Sequence, residues 1–152
     1  MHFINLPEND IQRALMSWTW LPLAGKSVIR VTAFGDFFLA DENGIWFLDK
    51  LDGCLTHVCG SESELDFLLQ KEDAQDLYLF GGFVEKSYRE GMLLNEGQCY
   101  DFTISPLLGG VLEYKNVCVR NFVVAVSLAG QLLQNIRRLP NDAKITGFTV
   151  AN

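Results

Sequence analysis

The chain has 152 residues, of which 49% are hydrophobic and 20% are charged, and its formal net charge is −7 at pH 7. That length predicts one folded domain, residues 1–152, and the composition excludes an intrinsically disordered protein. No apolar run approaches the roughly 20 residues of a membrane span, and the N-terminus lacks the basic region and apolar core of a signal peptide. We therefore expect a cytoplasmic protein without a membrane partner.

A short amphipathic helix is predicted near the N-terminus. Pro7 and Glu8 open the pattern, and Ile11, Leu15 and Trp18 then recur at spacings of four and three residues. These positions form one apolar face of a helix. The helix should end in the Trp-Leu-Pro sequence that follows.

An antiparallel meander is predicted after this helix. β-Branched and aromatic residues favour four strands, at 28–32, 34–40, 45–48 and 55–59. Asn43-Gly44 and Asp52-Gly53 are typical of the tight turns that join such strands, because they accept positive φ angles. A sheet of this kind needs helices to cover one of its faces.

Two helices are predicted to follow the meander. Ser61 and Glu64 form a capping box, in which the serine bonds an amide in the first turn and the glutamate reaches back. The second helix is indicated by an apolar stripe with helical spacing, comprising Leu77, Phe80, Val84 and Tyr88. Gly91 is its predicted C-cap. Gly81-Gly82 inside the stripe indicates either a close backbone approach or a break.

The run from Asn121 to Leu139 combines strand and helix signals. Its valines favour a strand, whereas its apolar residues recur at helical spacing. We predict a helix, because Asn121 is a good N-cap and Pro140 stops the pattern. Extended segments are predicted at 100–104 and 117–120, and the tail after Asp142 is either a strand or frayed. Together these elements predict an α+β fold, an antiparallel sheet covered by several helices.

The run from Gly97 to Gly110 has an unusual composition for a surface linker. Its apolar residues Tyr100, Phe102, Ile104, Leu107 and Leu108 favour burial. Its glycines and Pro106 favour a fixed backbone path. We therefore expect a loop that holds a defined shape.

Several motifs of this run and its surroundings resemble a known family. They are Gly97-Gln98-Cys99-Tyr100, Pro106-Leu107-Leu108-Gly109-Gly110, Asn116-Val117, Ser127-Leu128-Ala129-Gly130-Gln131, and upstream 34–39 and 44–49. The pattern, over roughly residues 7 to 140, resembles a bacterial domain-of-unknown-function family that includes the C-terminal domain of a type VI secretion immunity protein. That immunity protein neutralises a DNase toxin. The resemblance implies this fold and a non-enzymatic role in toxin neutralisation by protein–protein contact.

The acidic residues are concentrated in one part of the chain. Eleven of the nineteen lie between Asp36 and Asp76, where only two basic residues oppose them, so this segment carries −9 and the rest of the chain +2. Such an asymmetry disfavours nucleic acid and favours a basic protein partner, with a solvated acidic surface as the structural alternative. The residues that we predict to contact a partner are Asp41, Glu42, Trp46, Asp49, Asp52, Glu62 and Glu64.

Metal binding and nucleophilic catalysis find little support in the sequence. Cys54, His57 and Cys59 lie close together, but strand alternation separates Cys54 from the other two, so we predict no metal site. Cys99 and Cys118 are expected to be reduced thiols like the others. A pair formed by His57 and Cys99 has no local motif behind it.

Nucleotide and nucleic-acid sites are not indicated either. The glycine pairs lack the spacing and the lysine of phosphate-binding loops, and the basic residues do not cluster beside aromatic ones. We therefore predict no cofactor and no enzymatic activity.

Two specific hypotheses for function remain, beside the alternative of a housekeeping scaffold protein that has no toxin partner. In the first, the protein binds a basic toxin, such as a nuclease, through its acidic segment. In the second, it is a small-molecule-binding or small hydrolytic domain whose pocket lies between the Gly97–Gly110 loop and the last helix. Gln98, Cys99 and Tyr100 would then line the pocket.

Overall fold

The computed structural model describes residues 1–139. Its strands are β1 (Phe3–Ile4), β2 (Ser27–Thr32), β3 (Phe37–Asp41), β4 (Gly44–Leu48), β5 (Leu55–Cys59), β6 (Gln98–Phe102) and β7 (Val117–Asn121). Its α-helices are α1 (Glu8–Leu15), α2 (Glu62–Leu68), α3 (Glu72–Leu79), α4 (Gly81–Arg89) and α5 (Phe122–Arg137). Short 3-10 turns occupy Met16–Trp18, Pro106–Leu108 and Tyr114–Asn116. The predicted α+β fold class is confirmed.

The first five strands form one antiparallel sheet in the order β1-β2-β3-β4-β5. At the β3–β4 hairpin Asp41 pairs with Gly44, whose φ is 121°. Gly53, in the next turn, has a φ of 73°. Both turns therefore use the positive φ angles that Asn-Gly and Asp-Gly predict. β6 and β7 form a separate antiparallel pair.

Helices cover both faces of the five-stranded sheet, where the sequence predicted cover on one. Phe37 and Leu39 of β3 pack in the same cluster as Ala14 of α1 and Phe122 of α5. Between them, Phe38 belongs to a cluster on the other side of the strand, formed with α2 and α3. Because side chains alternate along a strand, β3 is buried on both faces.

The β6–β7 pair is joined to the main sheet through the segment after β2. Tyr100 N donates to Ala33 O over 2.8 Å. Phe34, in the same segment, packs its ring 5.6 Å from the rings of both Tyr100 and Phe102. These side chains and Val84 of α4 form a third core cluster. The β6–β7 region therefore packs on the domain and does not project from it.

The N-terminus and the start of β3 differ from the prediction. No strand was predicted before the first helix, yet β1 pairs with β2, and Ala33 N donates to His2 O over 2.8 Å. The predicted strand 34–40 begins only at Phe37, because a turn occupies the preceding residues. Gly35 enables this turn with a φ of 80°.

The apolar stripe from Leu77 to Tyr88 is not one helix. It is divided between α3 and α4 at Phe80, which has a left-handed φ of 51°. The ring of Phe80 lies 4.9 Å from that of Phe34, and this packing holds the bend. The Gly81-Gly82 pair thus marks a break, one of the two alternatives that its sequence allowed.

The Gly97–Gly110 run is only partly the buried loop that its composition predicted. Its first half is β6, and Ile104, Leu107 and Leu108 are exposed, Ile104 by 56%. Hydrogen bonds, and not the burial of apolar side chains, fix the backbone in the second half of the run. Asn116 exchanges two hydrogen bonds with the backbone of Ile104 and donates a third to Val111 O.

The predicted last helix is confirmed as α5. Asn121 is its N-cap and accepts from Val124 N over 3.0 Å. Gly130 faces the end of the N-terminal helical segment so closely that a Cβ there would lie 2.5 Å from Ser17 O. The tail after Asp142, for which a strand or frayed end was predicted, lies outside the described residues.

Candidate functional site

A pocket of about 200 Å³ lies between the segment after β6 and helix α5. Its lining includes Phe102 and Leu107 on one side and Ala125, Leu128 and Leu132 on the other. The apolar face of α5 supplies one wall because its pocket-lining residues recur at helical spacing. This is the location that the second functional hypothesis predicted.

A network of buried and half-buried charges forms the polar end of the pocket. Lys50, only 7% exposed, donates from Nζ to Asp101 Oδ1 over 3.0 Å. Arg120 Nε lies 3.3 Å from Asp101 Oδ2, and its Nη2 donates to Thr103 O over 3.0 Å. Two cationic side chains thus share one carboxylate.

Asp36 adds a second carboxyl group to this end of the pocket. It is 2% exposed, and burial, followed by the nearby Asp49, raises its pKa to about 8, against the opposing effect of Lys50. The carboxyl still has partners, because Lys50 N donates to Oδ1 over 2.8 Å. At neutral pH Asp36 is therefore mainly uncharged.

Local sequence explains why these groups meet. The turn after β2 is closed by Thr32, whose N–H donates to Asp36 O and whose hydroxyl accepts from Asp36 N. Lys50 lies two residues after the end of β4, and its backbone N–H binds it to that turn by donating to Asp36 Oδ1. Burial favours a lower pKa for Lys50, but Asp101, together with Cys99 and Asp36, outweighs it, so this pKa is raised.

The three residues predicted to line the pocket do not line it. Cys99 and Tyr100 are fully buried, and the Tyr100 hydroxyl donates to Met92 O over 2.6 Å. Gln98 lies at the far end of β6, where its side chain accepts from Asn95 N. The prediction was wrong in register, because the run lines the pocket only from Asp101 onwards.

The catalytic pair considered in the sequence is also not formed. Burial raises the pKa of Cys99 to about 11, so its thiol is not activated. His57 is exposed on β5, packs edge-on against Trp46 and hydrogen-bonds to Asn43 O. Among residues 1–139, no group of three or more His, Cys, Asp or Glu side chains is placed to hold a metal ion.

Two of the predicted partner-binding residues bind one another. Trp46 Nε1 donates to Asp41 Oδ1 over 2.8 Å. Lys26 lies 3.3 Å from Asp41 and 4.5 Å from the centre of the Trp46 ring. The hydrogen bond from Trp46 is the main cause that lowers the pKa of Asp41. This trio is a feature that the sequence did not reveal.

The other predicted partner-binding residues divide between two ends of β4. Glu42 lies at the β3–β4 hairpin, next to the end of β5 and the start of α2, where Glu62 and Glu64 are exposed. Asp49 and Asp52 follow the opposite end of β4. Each accepts a hydrogen bond from a backbone N–H of its own turn. The seven residues therefore do not form one surface.

A larger acidic surface lies on the outer side of α2 and α3. Both helices bury leucines in the same cluster against the sheet, so their exposed sides share one face of the domain. We call this face the α2–α3 acidic surface; its exposed acids are Glu62, Glu64, Asp66, Glu72, Asp73 and Asp76. Phe67 and Leu77, 65% and 70% exposed, lie among them.

The comparisons with known proteins bear on the fold. No family model matches the sequence, and no curated protein is similar to it. A solved structure, Atu4351 from Agrobacterium tumefaciens, is similar with a TM-score of 0.54 and 19% sequence identity. The likeness covers 85% of this chain but 65% of that one, so this chain spans less than two thirds of its length. At this identity the likeness shows the fold alone.

Within residues 1–139, none of the helices combines the length and apolar character needed to cross a bilayer.

Proposed function

We propose that this chain is a non-enzymatic cytoplasmic protein of immunity type, which neutralises a basic toxin by direct contact through the α2–α3 acidic surface. The observation that carries the proposal is the concentration of six exposed acids on two helices that follow one another in the chain. Lys71 is the one cation between Glu62 and Asp76, and Arg30 of β2 pairs with two of the acids. A nuclease needs a basic surface to hold the phosphate backbone of its nucleic-acid substrate. Such a basic surface is complementary in charge to the α2–α3 acidic surface.

The exposed apolar residues of this surface can supply binding affinity, which charge alone does not. Charge complementarity speeds association and selects partners, whereas affinity depends more on apolar or aromatic anchors that become buried. Phe67 and Leu77 are the best placed anchors, because each is mostly exposed among the acids. Trp46 is a weaker candidate, since Lys26 and Asp41 already contact it.

The test compares two variants with the same change in net charge. One carries Glu62→Gln, Glu64→Gln and Glu72→Gln on the acidic surface, and the control carries Glu8→Gln, Glu96→Gln and Glu113→Gln at exposed positions elsewhere. The tagged chain is used to capture proteins from a lysate of the organism that produces it, and these proteins are identified. A captured toxin is then expressed together with each variant in a sensitive host.

We expect the wild type and the control to protect the host, and the acidic-surface variant to lose both protection and salt-sensitive binding. Equal protection by both variants would assign the contact to another surface. A captured toxin whose activity is unaffected by the wild-type chain would refute the immunity role itself.

The pocket beside α5 favours ligand binding as a second function. It has apolar walls and a few converging polar groups, which is the usual construction of a small-molecule site. Binding of a small molecule to the purified chain, abolished by Ala129→Phe within the lining, would support this function. Ala24→Phe, at an exposed position outside this pocket, is the matched control.

A further inference from the structure

The pocket beside α5 has two chemically different ends. Phe34, Phe80 and Phe102 contribute an aromatic wall, which the apolar residues of α5 complete. Lys50 and Arg120 belong to the polar end. The volume of about 200 Å³ exceeds the cavities of about 150 Å³ that admit benzene. An occupant should therefore have a small apolar body and one polar group.

Among the residues that line the pocket, the cations outnumber the ionised carboxylates at neutral pH. Lys50 and Arg120 share the single carboxylate of Asp101. Asp36 does not balance the second cation at neutral pH, because burial, and then Asp49, raise its pKa to about 8. The pocket is thus suited to a monoanion and not to a cation.

Donor groups at this end also have unused hydrogen-bonding capacity. Arg120 Nε is buried and lies 3.3 Å from Asp101, near enough for an ion pair but without the geometry of a hydrogen bond. The Lys50 ammonium has three N–H groups, and among the described residues it donates to Asp101 alone. Buried donors without acceptors are unfavourable, so an acceptor with two oxygens stabilises this arrangement.

We propose that this pocket binds a small monocarboxylate with an aromatic or short aliphatic body, of about the size of phenylacetate. Its carboxylate lies between Lys50 and Arg120, and its body lies against Phe34, Phe102 and the α5 wall. The inference rests on the second proposed function and gives its ligand class. A dianion such as a phosphate monoester fits less well, because its second charge has no counterpart and must be desolvated.

The site is also held in place before a ligand arrives. Asn116 fixes the backbone of the segment that carries Leu107 and Leu108 at the pocket mouth. Gly110 cannot be replaced freely, because a Cβ there would collide with Ile104 O. A pre-formed wall lowers the conformational entropy that binding would otherwise cost.

The test uses three probes of the same shape on the full chain at pH 7. Isothermal titration and ligand-observed NMR compare phenylacetate, the neutral phenylacetamide and the cationic phenethylamine. We expect phenylacetate to bind at least about tenfold more tightly than the amide, since a charge-assisted pair replaces a neutral hydrogen bond. The amine should not bind detectably.

Two arginine variants distinguish an effect of the polar end from the effect of losing a positive charge elsewhere. Arg120→Gln should lower the affinity for phenylacetate about tenfold and leave phenylacetamide unchanged. Arg89→Gln, at an exposed position on α4, should alter neither. Thermal unfolding of both variants verifies that they are folded, and Arg120 is suitable because its side chain is 37% exposed.

Each outcome decides between the inference and the function on which it rests. Equal binding of acid and amide, unaffected by Arg120→Gln, would overturn the carboxylate class while leaving a ligand pocket in place. If no probe binds the wild-type chain, the ligand class fails, whereas the second proposed function fails only if no small molecule binds in a way that Ala129→Phe abolishes. Neither result bears on the α2–α3 acidic surface.

Discussion

The α2–α3 acidic surface and the polar end of the pocket use charged residues in opposite ways. On the surface, six acids stand in solvent, and two of them, Glu62 and Asp66, contact one cation, Arg30. In the pocket, Lys50, Asp36 and Asp101 are buried or half-buried, and backbone groups help to bind them.

This difference teaches where charge is available for a partner and where it constrains the fold. Water screens the exposed acids, so they can change partners at little cost. The buried groups lose their hydration, and each depends on the partner that the fold provides. Stability should therefore respond strongly to changes in the pocket and weakly to changes on the surface.

The largest expected effect is the pH dependence that Asp36 gives to folding. Its pKa is 3.8 in the unfolded chain and about 8 in the fold, so the folded state retains a proton that the unfolded state releases. Stability is then complete below pH 4 and falls as the pH rises to about 8. The total loss is on the order of 6 kcal/mol, at about 1.4 kcal/mol for each pKa unit.

Asp36→Asn should remove this dependence, because the amide is neutral and can still accept from Lys50 N. The measurement is urea unfolding of both proteins at pH 5, 7 and 9. The variant should gain stability relative to wild type as the pH rises. A difference between the two that stays constant with pH would show that Asp36 ionises in the fold as it does in water.

Lys50→Met should produce the next largest effect. The substitution leaves Asp101 with Arg120 alone and removes the cation nearest to Asp36, and breaking a buried pair of this kind costs about 3–5 kcal/mol. Lys115→Met is the matched control, because Lys115 is exposed and contacts only the exposed Glu113 among described acids. Similar unfolding midpoints for the two variants would refute the contrast between the two regions.

Much of the fold could be predicted because local signals agree with tertiary packing. The hairpin at Gly44, the N-caps at Ser61 and Asn121 and the periodicity of α5 each act within a few residues. The break at Phe80 could not be predicted in the same way. A left-handed phenylalanine has no local preference for that conformation, and contact with Phe34 from another part of the chain maintains it.

The candidate site was harder to predict than the fold. The location beside α5 followed from the composition of the Gly97–Gly110 run, but three of the four charged residues in the lining, Asp36, Lys50 and Arg120, come from segments outside that run. Asp36 gave one signal, since it lies inside an apolar run where an acid is unusual. Lys50 and Arg120 gave no such signal, because the residues next to them in the sequence do not distinguish them from cations that stay in solvent.

Asn116→Ala tests an uncharged contact that holds the segment after β6, and it should have a smaller effect. It leaves two backbone carbonyls, of Ile104 and Val111, without the donor that they have now. We expect a loss of about 1–3 kcal/mol in urea unfolding. Asn95→Ala, at an exposed position before β6, should change stability by less than about 0.5 kcal/mol. Equal losses in the two variants would mean that the Asn116 side chain does not hold the segment after β6.

The smallest expected effect is on the acidic surface itself. Asp66 lies 2.6 Å from Arg30, but its side chain is 61% exposed, and pairs of this kind contribute about 0–1 kcal/mol. Asp66→Asn should therefore change stability little, and the change should disappear in high salt. Urea unfolding at low and high ionic strength measures both. A loss of more than about 2 kcal/mol that persists in salt would mean that the fold uses this acid as it uses Lys50. Asp66 would then not be free to exchange Arg30 for a cation on a partner, and the acidic surface would lose one of its contacts.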